Sequence, residues 1–232
     1  MISFIIPAHN EESLIGETLR VLRASAERLG EPFEIIVVDD SSTDRTKEIA
    51  KEAGARVVSI ARRHIAAARN AGAQVASGDP LFFIDADTHV YYETIFAALM
   101  EIRQGAIGGG ALIHLKPGAP MWASAVMGLV IGIMKPLRWA AGCFVFVRRV
   151  DFDAVRGFDE RYYAAEEIVL SRNLKKRGRF VIVSPPVVTS DRKAHLYSPM
   201  EFPRLLWRAA IAGPNKTLQS RDGLRYWYDG RR

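Results

Sequence analysis

Cysteine is almost absent: Cys143 is the single one in 232 residues. One thiol excludes an intrachain disulfide framework and any zinc cluster built from several cysteines. Its place in the apolar run Gly142 to Val147 predicts a buried, unreactive thiol. No basic stretch followed by an apolar core and a cleavage site opens the chain. A cytoplasmic location is therefore expected, with association at the cytoplasmic face of a membrane left open. The longest apolar run, Met121 to Lys135, would form a helix of about 22 Å, short of the roughly 30 Å hydrocarbon core of a bilayer. G-x-G-x-x-G does not follow the first strand pattern, and no P-loop lysine motif occurs, which sets aside dinucleotide-binding oxidoreductases and P-loop nucleotidases. Internal repeats, low-complexity segments and a clear linker are also missing.

What is present suits one globular domain. Hydrophobic residues make up 49% of the chain, enough for a sizeable core. The formal net charge of +6 suits anionic partners, among them sugar nucleotides and acidic lipid surfaces. Nucleic acid would also explain the charge, but not the acidic motif described next, and no nucleic-acid partner is expected.

The chain is organised around Phe82-Phe83-Ile84-Asp85-Ala86-Asp87-Thr88. Leu81 to Ile84 reads as a buried strand with two acids at its end. Open α/β folds bind ligands at that carboxyl edge. Carboxylates two positions apart repel each other, and a hard divalent cation relieves the repulsion through oxygen ligands. An isolated D-x-D can also be no more than a solvated turn. Upstream, Ile2 to Ile6 is a strand stopped by Pro7, and Asn10 caps a helix with Glu11 and Glu12 in its first turn. Ile35 to Val38 leads into Asp39-Asp40-Ser41-Ser42-Thr43-Asp44, where Ser42 or Thr43 caps the next helix. Arg56 to Ile60 is a third strand and His64 to Ala76 a third helix. The first ninety residues thus read βαβαβαβ, a mainly parallel, doubly wound α/β sheet.

Further on, a helix from about Tyr91 to Gln104 precedes the strand-like Gly108 to Leu115, whose three glycines suggest close backbone approach or a bulge. Pro120 and Pro136 bracket the apolar run. That run reads as a buried or oligomer-facing helix, as a segment partly inserted in a membrane surface, or as the wall of a groove for a lipid acceptor. Cys143 to Val147 is a strand, Glu166-Glu167 opens a basic helix ending near Gly178, and Phe180 to Val183 is the last core strand before Pro185-Pro186.

Together these stretches resemble the large inverting glycosyltransferase family with the GT-A fold, family 2. Phe4 to Glu12 looks like its opening strand and loop, Val37 to Asp44 its second, and Ala67-Ala68-Arg69-Asn70-Ala71-Gly72 its third. Asp85-Ala86-Asp87 is similar to the family's metal motif, and Gly157-Phe158-Asp159-Glu160 with Glu166-Glu167 and Leu170 resembles its acceptor-side motif. The resemblance implies one GT-A-like domain over 1–232. Residues 1–90 would form its nucleotide-binding half, 91–190 its acceptor half and 191–232 a tail.

It further implies a nucleotide-diphosphate sugar donor, UDP favoured over GDP, and a metal, Mn²⁺ or Mg²⁺. Pro7, His9 and Glu11 would line the nucleoside, and Asp40, beside Asp39, would accept from the base edge; either acid could instead cap a helix. Arg69 would neutralise phosphate, Asp85 would face the ribose with Ala86 beside it in the nucleotide-sugar site, and Asp87 would bind the metal with His195 as a further ligand. Arg192 or Lys193 would stabilise the leaving diphosphate. Glu167 would be the catalytic base, preceded by Glu166. The family's usual Glu-Asp is replaced here by Glu-Glu, and the Gln-x-x-Arg-Trp of processive synthases is absent. Transfer of one sugar is therefore expected, to an acceptor that could be lipid-linked. A nucleotidyltransferase is the rival enzyme, but the first loop lacks that class's glycines and lysine. A non-catalytic, membrane-associated nucleotide binder is the rival outside enzymes.

Overall fold

The computed structural model describes residues 1–192 and Gln219, so His195 and Lys193 lie outside the described residues. Strands β1 (Ile2–Ala8), β2 (Phe33–Asp40), β3 (Arg56–Ile60) and β4 (Leu81–Ile84) alternate with helices α1 (Ile15–Glu27), α2 (Thr46–Glu52) and α3 (Ile65–Val75). There follow β5 (Thr88–His89), α4 (Tyr92–Arg103), β6 (Gly108–Leu115), α5 (Met121–Leu137), β7 (Phe144–Val147), α6 (Arg149–Ala154), α7 (Glu166–Lys175) and β8 (Phe180–Thr189). All eight strands join one sheet in the order β3-β2-β1-β4-β7-β6-β8-β5.

The expected parallel pairing holds from β3 to β4, because each of these strands is linked to the next along the chain by a helical crossover. Beyond β4 the sheet is mixed. β7 inserts antiparallel between β4 and β6, while β6 and β8 run parallel. Alternate side chains feed two cores. Phe4, Ile6, Phe82 and Phe144 pack with α1 and α4 on one face, and Ile5, Phe83 and Val145 pack with α3, α6 and α7 on the other.

Both proline expectations are corrected. β1 continues through Pro7, paired with Val38, to Ala8. The Ile2 amide donates toward β2 (to the Pro32 carbonyl) and the Ser3 amide toward β4 (to that of Pro80). Alternation then turns the Pro7 nitrogen toward β4, whose register with β1 ends at Ile5–Phe83, so the missing N–H forfeits no ladder bond. β8 likewise passes through Pro185 and Pro186, which fall where its register with β6 shifts.

The predicted caps are also different. α1 starts at Ile15 and α2 at Thr46, neither with a side-chain cap from its N-cap residue. Asn10, Ser42, Asp44 and Thr46 instead tie the first two loops together. The Asn10 amide donates to Ser42 Oγ (3.0 Å), that of Glu11 to Thr46 Oγ1 (2.7 Å), that of Glu12 to Asp44 Oδ2 (3.1 Å), and that of Thr43 to Asn10 Oδ1 (2.8 Å).

The glycines of β6 mark close approach. A Cβ on Gly109 would lie 2.2 Å from the Val181 carbonyl oxygen and 2.6 Å from the Phe146 ring. Gly109→Ala must therefore push backbone apart at the centre of the sheet. It is expected to cost about 2 kcal/mol, seen in a thermal melt as a midpoint lower by about 4–8 °C. An unchanged midpoint would show that β8 yields freely.

Candidate active site

Because β1 to β4 are parallel, the loops after Ala8, Asp40, Ile60 and Ile84 open on one edge. The antiparallel pairing Ile84–Phe144 brings the loop before β7 to the same edge, where the Asp85 amide donates to the Cys143 carbonyl (3.2 Å). The N-terminus of α7 supplies Glu166 and Glu167.

Arg69, on α3, is the hub. Its side chain is 1% exposed. Nη2 donates to Asp85 Oδ1 (2.8 Å) and to the Gly142 carbonyl (2.6 Å), and Nη1 is paired with Glu166 Oε1. Burial disfavours the guanidinium charge, but Asp85, Glu166 and Glu167 outweigh it and raise the pKa. The sequence reading gave Arg69 to phosphate. The structure instead spends both terminal nitrogens on protein, so this buried side chain serves as the counter-charge of the carboxylates.

Glu167 is half-buried, and its carboxyl lies about as close to Gly142 as Arg69 does, each 3.4 Å from the position of a Cβ there. Burial first, and then the neighbouring Glu166, push its pKa up to about 8, with Arg69 opposing. Glu166, by contrast, is 3% exposed and bound to Arg69. The pair thus divides into one acid neutralised by a cation and one that holds a proton near neutral pH. Ser171 fixes the start of α7: its hydroxyl donates to the Glu167 carbonyl (2.7 Å) and accepts from the Ala140 amide (3.1 Å).

The nucleotide-side candidates fall into three groups. Pro7, Ala86 and Asp39 are buried, and Asp39 Oδ1 accepts from the Ser42 amide (3.3 Å). Asp40 accepts from the amides of Arg62, Arg63 and His64 at 2.8 Å each, which uses about three of a carboxylate's four acceptor positions. Its first task is to shape the loop before α3. Glu11 is held by Arg192 in a two-pronged pair (2.9 and 3.1 Å), and the same guanidinium lies 3.8 Å from Asp87 Oδ2. His9 is half-buried in the loop after β1.

Asp85 and Asp87 each therefore face an arginine, Arg69 and Arg192. Among the described residues no group of three or more His, Cys, Asp or Glu side chains could hold a metal. One carboxylate fits the usual mode of Mg²⁺ and Mn²⁺, which combine one or two carboxylates with substrate phosphates.

Asn70 carried no role in the sequence reading, although it sits in the quoted Ala67–Gly72 motif. Its Oδ1 accepts from the Phe158 amide (2.9 Å), and its Nδ2 donates to the Phe158 carbonyl (2.9 Å) and Glu160 Oε1 (3.0 Å). It thereby fastens α3 to the turn that leads into α7. Gly142 was missed because its role is a backbone carbonyl, which leaves no residue-type signal.

A doubly wound sheet with carboxylates gathered at the carboxyl edge of its parallel strands defines an α/β protein of the GT-A type. The model of Glycosyl transferase family 2 matches residues 3–149, and the chain belongs to that family. Over 140 residues it is 38% identical to an undecaprenyl-phosphate 4-deoxy-4-formamido-L-arabinose transferase of Pseudomonas aeruginosa (strain LESB58), covering 56% of this chain and 41% of that protein. Over 107 residues it is 36% identical to a 4,4'-diaponeurosporenoate glycosyltransferase of Staphylococcus haemolyticus, covering 43% and 28%. Each match spans less than half of the relative's length. Among solved structures, S. aureus TarS 1–349 in complex with UDP-GlcNAc aligns with a TM-score of 0.65 at 18% identity, covering 99% of this chain and 73% of that one. Glucosyl-3-phosphoglycerate synthase from Mycobacterium tuberculosis, in complex with Mn²⁺, UDP and phosphoglyceric acid, gives 0.62 at 22%, covering 91% and 76%. At these identities the likeness is one of fold.

Proposed function

We propose that this protein is an inverting glycosyltransferase that moves one sugar from a nucleoside diphosphate donor, UDP in preference to GDP, to an acceptor hydroxyl. The observation that carries the reading is the carboxylate cluster around Arg69, in which Glu166 is ion-paired with the guanidinium while burial and Glu166 raise the pKa of Glu167. Family membership and the UDP and UDP-GlcNAc held by similar folds support the donor class. Residues 1–90 would hold the donor and 91–190 the acceptor. Pro7, His9 and Glu11 would line the nucleoside, and Asp39 and the remaining acceptor position of Asp40 would meet its base.

Glu167 would take the proton of the acceptor hydroxyl while the oxygen attacks the anomeric carbon from the face opposite the diphosphate. The bond to the diphosphate breaks, and its oxygen keeps the electron pair. Asp87 would hold Mn²⁺ or Mg²⁺, which supplies Lewis-acid charge to the departing diphosphate. Asp85 would face the ribose while Arg69 holds it in place. Arg192, already beside Asp87, would add positive charge on the same side. The relative's name includes the lipid undecaprenyl-phosphate, and an acceptor hydroxyl carried on a lipid at a membrane surface is proposed here.

Thermal shift tests the donor. A UDP-sugar with Mn²⁺ at 100 times its Kd is expected to add about 2.7 kcal/mol, raising the melting midpoint by about 5–10 °C. Asp87→Asn should abolish the Mn²⁺-dependent part of that rise. An equal rise in Asp87→Asn would remove Asp87 as the ligand. A midpoint unmoved by every UDP-sugar and GDP-sugar would remove the donor reading.

A further inference from the structure

A surface helix in water normally buries an apolar stripe and shows charge on the opposite side. α5 obeys the first half of that rule and breaks the second. Ala123 is buried, and Met127, Ile131 and Met134 are half-buried at helical spacing on one side; the helix packs on β6. The opposite side exposes Met121, Ser124, Ala125, Gly128, Leu129 and Gly132, with Met121 at 90% and Leu129 at 64%. Of the readings offered for this run, a wholly buried helix is set aside. No charge interrupts α5 from Met121 to Met134, a length of about 21 Å.

Charge appears only at the C-terminal end of the helix, and it is all of one sign. Lys135 and Arg138 are exposed, Arg172 stacks over Trp139 at 5.4 Å, and Lys175 donates to the Leu137 carbonyl (2.8 Å). Between Glu101 and Asp151 the chain contains no acid. An isologous contact with a second copy would bring these bases together with no acid of this stretch to match them. An anionic lipid surface complements both features: the uncharged face enters the interfacial zone, and the bases meet the headgroups. No helix among the described residues is long and apolar enough to cross a membrane.

We infer that the exposed face of α5 docks the protein on an anionic membrane. Gly142, whose carbonyl holds Arg69, lies three residues beyond Trp139, so the basic end of α5 leads directly into the carboxylate cluster. Docking would thus present the site to an acceptor resident in that membrane. This last step rests on the glycosyltransferase reading; the docking itself does not.

The test is sedimentation of the full chain with vesicles of phosphatidylglycerol and phosphatidylethanolamine, beside vesicles of phosphatidylcholine, at low salt. Wild-type protein should pellet with the anionic vesicles and remain largely in the supernatant with phosphatidylcholine. The pair Met121→Asp and Leu129→Asp, and separately the pair Lys135→Glu and Arg138→Glu, should each lower partitioning by about tenfold or more. These side chains are solvent-exposed, so the variants should keep the wild-type melting midpoint and its rise with UDP-sugar. Wild-type protein left in the supernatant overturns the inference, as do variants that pellet like wild type. A concentration-dependent dimer that Leu129→Asp dissolves, with no vesicle binding, also overturns it and assigns the face to a second copy. If vesicle binding holds while no UDP-sugar moves the midpoint, the donor reading falls and the docking face stands.

Discussion

Glu167→Gln is expected to lower turnover by about 10² or more, the scale of losing a general base, with donor binding near that of the parent. Glutamine keeps the size and polarity of the side chain but cannot take a proton. The pH profile adds a second readout. Burial and Glu166 hold the Glu167 carboxyl at a pKa of about 8, so at neutral pH most of the free enzyme carries it protonated. In the parent, kcat/KM should rise with pH and flatten above about 8, because that profile reports the free enzyme; the variant should lack the rise. Stability moves the other way. The folded pKa lies above the ordinary 4.5, so the folded state binds more protons, and its advantage is lost as pH climbs through about 8. Glu167→Gln removes that cost, and its melting midpoint relative to the parent should improve between pH 5 and pH 9. Normal turnover in Glu167→Gln, with failure of a folded Glu166→Gln, would place the base one residue earlier.

Arg69→Met should be the most damaging single change to folding. It leaves Glu166, 3% exposed, with no cation and withdraws the donor from Asp85 and the Gly142 carbonyl. Breaking a buried pair from one side costs about 3–5 kcal/mol, equivalent to a midpoint lower by about 6–20 °C. Arg69→Lys should rescue only part of this, since one ammonium cannot reproduce a fork with Nη1 on Glu166 and Nη2 on Asp85 and Gly142. The double variant Arg69→Met with Glu166→Gln should regain much of the loss, because the more deeply buried of the two carboxylates left without Arg69 is then uncharged, while Asp85 is partly exposed to water. Arg69→Met melting like the parent would show that the hub is dispensable.

The sequence by itself determined that four strands alternate with three helices as far as Asp87 and that the strands run parallel. Apolar runs of four to eight residues ended by acids, with amphipathic helices between them, leave a parallel, doubly wound sheet as the consistent arrangement, and its geometry carries the acids to one edge. It also placed Glu166-Glu167 at a helix start, because acids gather where the first turn leaves amides unpaired. Tertiary structure decided what those residues face. Arg69 meets Gly142 across 73 positions and Glu166 across 97, contacts that depend on β7 inserting antiparallel beside β4. No local pattern encodes that, so a buried hub looked like a phosphate ligand. The caps shifted for the same reason. Asn10, Ser42 and Asp44 can bond nearby amides or each other, and the neighbouring loop 32 or more residues away won. Pro7 and Pro185 broke no strand, because the side of the sheet on which a missing N–H falls is a property of register. The apolar character of α5 was legible in its residues. Which of its faces meets water was settled only by how it lies on β6.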